Sequence, residues 1–275
     1  MGINENFEIA AGTVAGRTHV IAGKPNQDAF ATFSAGYGVV GVVCDGCGSC
    51  RRSEVGAAMG AKILCEAVAR EMEAGADLSD PTSLERVRGL ALAALEPLVT
   101  VMGKNRVDVI NEFFLFTVMG IAISKQHAVV FGIGDGVFAV GDAVVTLGPF
   151  PGNAPPYLGY GLFREGPTFV QHKVLLTDDV QSVLVGTDGA ADFHGLAGTK
   201  RPGGDASRAE VVPPLRDFWQ DDRYFRNEDA LRRALCLVNR EVIRPAWTER
   251  RLHKEPGLLE DDTTLLVVRR KKSAL

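Results

Sequence analysis

No stretch of the 275-residue chain is apolar for the length a bilayer crossing needs, and its start lacks the basic-then-apolar pattern of a signal peptide. The chain opens Met1-Gly2, but the myristoylation pattern wants Ser or Thr at the sixth position, where Asn6 stands. A cytoplasmic protein without a membrane partner is expected. Positive charge is not in surplus: the net charge is −4, so nothing recommends nucleic acid, and the basic run Arg269-Arg270-Lys271-Lys272 reads as a solvated terminus. There is no Gly-Lys-Ser/Thr loop for nucleotide phosphates and no Gly-x-Ser-x-Gly elbow for a serine hydrolase. No solenoid repeat and no linker composition interrupts the chain, so 1–275 reads as a single domain.

Cysteine is also scarce, with five in all. Cys44, Cys47 and Cys50 form a C-x2-C-x2-C run, which admits an iron–sulfur or zinc reading and hence a redox protein. The fourth cysteine and following proline of the ferredoxin pattern are missing, and Cys65 and Cys236 fall in expected helices. Small residues around a tight turn are the better account.

What is present is an ordinary globular composition, 46% hydrophobic and 23% charged, arranged around Gly38-Val39-Val40-Gly41-Val42-Val43-Cys44-Asp45-Gly46. The apolar, β-branched run reads as a buried strand, and it stops on an aspartate followed by glycine. A carboxylate there is expensive to bury unless a cation or several donors meet it. Asp-Gly alone is a common turn, but the pattern recurs. It returns at Val183–Gly189 with Asp188, at Val130–Gly136 with Asp135, and inverted at Asp261–Val268. Four apolar strands with an aspartate at one end suggest strand ends converging on a metal-binding pole.

Along the chain, residues 7–15 read as a first strand, followed by a polar, turn-rich stretch that contains Asp28. Ser53 reads as the N-cap of a helix whose buried stripe is Val55, Met59, Ile63 and Ala67, with Leu64 and Val68 beside it. A second helix is expected from Pro81-Thr82-Ser83, with Leu84, Val87, Ala91, Leu95 and Leu98 inward and a kink or stop at Pro97. From Phe113 the period changes. Phe113–Ser124, His127–Gly134 and Val137–Leu147 read as strands, the last folded at Gly141-Asp142, and successive hairpins mean antiparallel sheet. Residues 148–168 read as loop. Residues 197–226 read as a surface excursion or a flap beside the site. A last helix is expected from Asn227 through Leu231, Leu235, Val238 and Val242, then a strand over Thr264–Arg269.

Asp45, Asp135, Asp188 and Asp261, with Asp28, are hard oxygen donors unaccompanied by a histidine or cysteine set, which suits Mg²⁺ or Mn²⁺. Two such ions can share a hydroxide and drive in-line displacement at phosphorus, so the residues alone point to a two-metal phosphoester hydrolase.

The same residues carry a resemblance. Asn26-Gln27-Asp28-Ala29-Phe30, Val43-Cys44-Asp45-Gly46-Cys47-Gly48-Ser49 with Ser53, Gly134-Asp135-Gly136, Gly186-Thr187-Asp188-Gly189 and Asp261-Asp262-Thr263-Thr264 resemble, in order, the motifs of the metal-dependent protein phosphatase 2C family, bacterial branch. The resemblance implies an α+β, four-layer α-β-β-α sandwich: two antiparallel sheets flanked by helix pairs, with the metals in a cleft at one end. It implies phosphoserine/phosphothreonine hydrolysis by a metal-bridging hydroxide, with Mn²⁺ or Mg²⁺ as cofactor (two ions, with a third in bacterial relatives). It also implies a phosphorylated protein as substrate and a Ser/Thr kinase as partner. Carried across by motif, Asp45 would bridge the two metals and the Gly46 carbonyl would bind the second. Asp188 and Asp261 would hold the first, Asp28 would orient water, and Asp135 with Asp188 would bind the third. The catalytic set is thus Asp28, Asp45, Asp188 and Asp261. Three positions depart from the pattern. Gln27 replaces a glutamate, and Cys47 stands where eukaryotic members have a histidine proposed as general acid. The phosphate-gripping arginine is absent at its usual spacing, leaving Arg17 and Lys24 as the nearest cations. The competing expectation is a non-catalytic, metal-binding regulator of a kinase.

Overall fold

The computed structural model describes residues 2–204 and 210–272. They run α1 (Ile3–Asn6), β1 (Phe7–Val14), α2 (Arg17–Ala22), β2 (Asp28–Ala35), β3 (Gly38–Gly46), α3 (Ser53–Glu73), α4 (Pro81–Met102), α5 (Arg106–Phe113), β4 (Phe116–Ile123), β5 (His127–Ile133), β6 (Gly136–Val140), β7 (Ala143–Leu147), β8 (Val170–Leu176), β9 (Ser182–Gly186), α6 (Gly189–Gly195), α7 (Asp217–Gln220), α8 (Arg223–Arg226), α9 (Ala230–Asn239), β10 (Val242–Ala246), β11 (Arg251–Glu255) and β12 (Thr263–Arg270). Two five-stranded sheets form, in the orders β1-β12-β9-β6-β7 and β2-β3-β4-β5-β8, and every pairing is antiparallel.

The sheets pack face to face through Phe7, Val39, Val43, Met119, Ile121, Val130, Val185 and Leu266. The outer face of the β3 sheet lies under α3 and α4, and that of the β12 sheet under α9 with the short α6, α7 and α8. This is the expected sandwich. β3 and β4 are covered on both faces, so they read as continuous apolar runs without alternation.

Register brings the aspartates together. Asp28 pairs across from Asp45, and Asp45 across from Thr117. Gly186, two residues before Asp188, pairs with both Val137 and Leu265. The strands that begin with an aspartate and those that end with one therefore share a pole.

The buried face of α3 differs from the apolar stripe. Val55, Met59 and Ile63 are only half-buried, while Gly56, Ala57, Gly60 and Ala61 are buried. Small residues carry little hydrophobic signal, yet they are what lets this helix lie close on the chain beneath. A Cβ on Gly56 would fall 1.8 Å from the Phe113 carbonyl oxygen, and one on Gly60 2.3 Å from the Phe116 ring.

Other differences are local. α4 continues through Pro97 to Met102. Residues 106–113 form α5, capped by the Asn105 side chain on the N–H groups of Val107 and Asp108, so the next strand starts at Phe116. Val242 begins a hairpin strand, not the end of a helix. Of the segment expected as a flap, 205–209 lies outside the described residues. Val212, Leu215, Phe218, Trp219 and Tyr224 are buried on the β12 sheet, joined to it as core.

Gly56→Ala is expected to lower stability by about 1–3 kcal/mol, because backbone must move to admit the methyl. Gly89→Ala, on the exposed side of α4 where an added Cβ meets nothing, is expected to raise it by about 0.5–1 kcal/mol. Urea unfolding of both variants checks this, and equal effects would contradict the packing described.

Candidate active site

The shared pole opens as a cleft of about 280 Å³ lined by His19, Asp45, Gly46, Cys47, Thr117, Asp135, Tyr157, Asp188 and Asp261, among others. Four of the five expected aspartates line it. The fifth, Asp28, is buried just beneath, opposite Asp45. Each arrives from a strand end: Asp45 on β3, Asp135 in the β5–β6 turn, Asp188 after β9, and Asp261 before β12. At Gly134 and Gly136, φ values of 94° and 140° let the turn present Asp135, a backbone that glycine adopts freely.

The carboxyls crowd one another. Burial, then the charges of Asp28, Asp188 and Asp261, hold Asp45 well above the usual carboxylate range. Asp28 is raised by burial and then by Asp262, against a hydrogen bond from Thr187. Asp188 is raised by burial and by Asp261, and Asp135 is pushed up to about 6 by burial and by Asp188. One oxygen is satisfied by the Thr187 hydroxyl, which donates to Asp28 Oδ2 at 2.7 Å, and the Asp28 backbone is held by its N–H donating to Asn26 Oδ1 at 3.0 Å. Others are not. Asp28 Oδ1 and Asp188 Oδ1 are buried with no hydrogen-bond partner. Buried carboxylate oxygens without donors, in a cleft whose lining among the described residues holds no Lys or Arg, fit hard divalent cations.

The two cations expected to grip phosphate stand outside the cleft lining. The Arg17 guanidinium is paired with Glu260 and donates to the Gly257 carbonyl at 3.3 Å. Lys24 Nζ donates to the Gly48 carbonyl at 3.1 Å, on the rim.

Ser53 is not a cap. It is fully buried; its hydroxyl donates to the Cys47 carbonyl at 3.0 Å and accepts from Gln27 Nε2 at 2.7 Å. Gln27 is thereby turned toward the start of α3, and its Oε1 is buried without a partner. The three clustered thiols do not converge. Cys44 is buried in the core beneath α3, while Cys47 and Cys50 are half-buried at the rim. Among the described residues, no group of three potential metal ligands close enough to share one ion includes a cysteine, against the iron–sulfur reading. Hydrogen bonds from the Cys50 thiol, then Ser49 and Tyr157, pull the Cys47 thiol below its usual range, which leaves it a poor proton donor near neutral pH.

Several residues at the site take no role from the sequence, Asp262 among them although it stands in one of the motifs. Asp262 is 2% exposed and accepts N–H groups from Gly16 at 2.7 Å and Gln27 at 2.5 Å. His19 Nδ1 lies 2.8 Å from the same carboxylate. Thr117 stands in the wall, and residues 148–168 supply Asn153, Pro155 and Tyr157.

Known proteins were compared with this arrangement. A family model described as protein phosphatase 2C matches residues 15–236. The chain belongs to the protein phosphatase 2C family. The match covers the whole run of motifs except the last, Asp261–Thr264, which the fold itself brings to the site. Solved structures of family type share the fold. The S. agalactiae serine/threonine phosphatase superposes with a TM-score of 0.54 at 14% identity, over 96% of this chain and 100% of that one. The catalytic domain of the serine/threonine protein phosphatase PstP, in complex with two manganese ions, gives 0.51 at 13%, over 97% and 99%. PppA, described as a key regulatory component of T6SS in Pseudomonas aeruginosa, gives 0.50 at 14%, over 97% and 98%. No curated protein matches the chain in sequence. No helix among the described residues is long and apolar enough to cross a membrane.

The crowding has a pH signature. A carboxyl whose folded value is raised contributes stability below its unfolded value, ~3.9, and loses that contribution as pH rises through the folded value. For Asp135 the loss begins at ~3.9 and levels off just above about 6. Metal-free protein is therefore expected to melt at lower temperature at about pH 7 than at about pH 5, with the difference reduced in an Asp135→Asn variant. A melting temperature no lower at the higher pH would contradict it.

Proposed function

We propose that the chain is a metal-dependent phosphoserine/phosphothreonine protein phosphatase, and that Asp28, Asp45, Asp188 and Asp261 are its catalytic carboxylates. The observation that carries this is the convergence of carboxyls at one pole, with buried oxygens lacking donors and no Lys or Arg in the lining to neutralise them. Two divalent ions, Mn²⁺ or Mg²⁺, would supply Lewis-acid polarisation of the phosphoryl oxygens and a water acidic enough to attack phosphorus. Asp45, central among the carboxyls, would hold both ions, with the Gly46 carbonyl on the second and Asp188 and Asp261 on the first. Asp135 with Asp188 would take a third. Asp28, fixed by Thr187 and by Asn26, is set to orient water against Asp45. Thr117, Asn153 and Tyr157 complete the lining of the cleft.

A phosphorylated protein is the substrate this reading implies, and a Ser/Thr kinase that writes the phosphate is the natural partner. The regulatory role of PppA in T6SS supports a signalling context. A kinase regulator without catalysis would not need carboxyls kept in mutual repulsion, since binding can be achieved at a far lower cost in stability.

Asp45→Asn is expected to fold normally by circular dichroism and to lose Mn²⁺-dependent phosphate release from a phosphopeptide by about two orders of magnitude or more. Metal-free Asp45→Asn should melt no lower than metal-free wild type, since one repelling charge is gone. Undiminished phosphate release from this variant would overturn the two-metal assignment.

A further inference from the structure

Among the described residues, one trio brings potential metal-ligating atoms within 4.8 Å of one another: His19, Asp261 and Asp262. His19 sits on α2, 8% exposed, and its ring is part of the cleft wall beside Asp45, Asp188 and Asp261. Its Nδ1 is 2.8 Å from Asp262 Oδ2. That carboxylate already accepts two backbone N–H groups, from Gly16 at 2.7 Å and Gln27 at 2.5 Å, so it serves as an acceptor throughout. The proton between it and the imidazole belongs on Nδ1. With Nδ1 turned to Asp262, Nε2 is the ring nitrogen left to meet a cation, and it has no hydrogen-bond partner among the described residues.

A carboxylate on one ring nitrogen and an open lone pair on the other is the arrangement in which histidines bind metals, the carboxylate fixing both tautomer and ring orientation. Asp262 is already engaged by three donors on a carboxylate that is 2% exposed, which leaves it little room for a cation. Asp261 has that room: it is exposed on the cleft wall, and its side chain takes only the Asp262 N–H, at 2.8 Å.

We propose that His19 is a metal ligand, its Nε2 joining Asp261 on a divalent ion at this end of the cleft, with Asp262 as the positioning residue that orients the ring. This rests on the metal-dependent reading given above. Its chemical consequence is selectivity. Carboxylates and carbonyls serve Mg²⁺ and Mn²⁺ alike, whereas an imidazole nitrogen favours Mn²⁺ and the later first-row ions over Mg²⁺. A histidine that only pinned α2 to the start of β12 would have the same hydrogen bond to Asp262 and no such consequence.

The test uses the full chain loaded with Mn²⁺. Pulsed electron paramagnetic resonance is expected to show the ¹⁴N coupling of a directly bound imidazole, and His19→Gln to abolish it. Calorimetric titration should show Mn²⁺ binding weakened by about tenfold to a hundredfold in His19→Gln, with Mg²⁺ binding weakened less. Asp45→Asn, titrated alongside, separates the two claims. If Asp45→Asn binds Mn²⁺ like wild type, the metal-centre reading itself fails. If Asp45→Asn binds weakly but wild type shows no nitrogen coupling, or His19→Gln keeps both coupling and affinity, only the His19 assignment is overturned. Should His19→Gln not fold, the wild-type nitrogen signal decides alone: its presence supports the assignment, because His127, His172, His194 and His253 lie outside the cleft lining, and its absence overturns it.

Discussion

The buried carboxylate of Asp262 is the point on which the site depends. β1 belongs to one sheet and β2 to the other, so the segment between them must cross the end of the sandwich. It does so against Asp262, which takes the N–H groups of Gly16 and Gln27 at the two ends of the crossing and the ring of His19 between them. The approach is so close that a Cβ on Gly16 would fall 2.4 Å from the Asp261 carbonyl carbon. Gln27 immediately precedes Asp28, so the same carboxylate that pins the crossing sets where β2 starts and brings Asp28 opposite Asp45. A buried charge is tolerated only with its donors in place. Here those donors come from residues 235 or more positions away, and the chain's two ends are thereby locked together.

Around that anchor the site works against the fold. Asp28, Asp45, Asp135 and Asp188 all sit where burial and neighbouring carboxyls disfavour their charge. The threonines soften this in part: Thr187 donates to Asp28 and accepts from the Thr264 N–H at 3.0 Å, tying β9 to β12 at the same place. The remaining repulsion is offset by the sandwich itself, whose two central strands, β3 and β4, are apolar almost throughout and buried on both faces. A rigid core holding a locally unfavourable cluster is the usual relation between scaffold and function.

That division explains what could be read from the chain. The four apolar runs with a terminal aspartate were legible because strand burial and a strand-end charge are both local, and their convergence followed once the hairpin rhythm implied antiparallel sheets. The pairing of His19 with Asp262 was not legible. His19 lies in a polar stretch that reads as turn, Asp262 reads only as a neighbour of Asp261, and a contact across 243 positions gives the pair its meaning. Arg17 shows the converse: its charge and place in sequence suggested phosphate, but Glu260 lies nearer in space. On α3 the misreading was of period. Valine, methionine and isoleucine outweigh glycine and alanine on any hydrophobic scale, yet the face with the small residues is the one that fits against Phe113 and Phe116.

The lining of the cleft leads one step further. It holds four aspartates and neither lysine nor arginine, and its only imidazole is engaged with Asp262 through Nδ1. A phosphate monoester carries close to two negative charges at neutral pH. Brought alone to this cleft it would meet carboxylates, with Lys24 on the rim the nearest lysine placed among the described residues, so on the metal-dependent reading most of its attraction to the protein comes through the ions the carboxylates hold. On the reading proposed above, metal and substrate are therefore thermodynamically linked: each strengthens the binding of the other by the same factor. A cleft with an arginine in its lining could hold phosphate before metal. Among the described residues this lining has none, and on the proposed reading affinity for a phosphoprotein becomes a function of the free divalent ion around it.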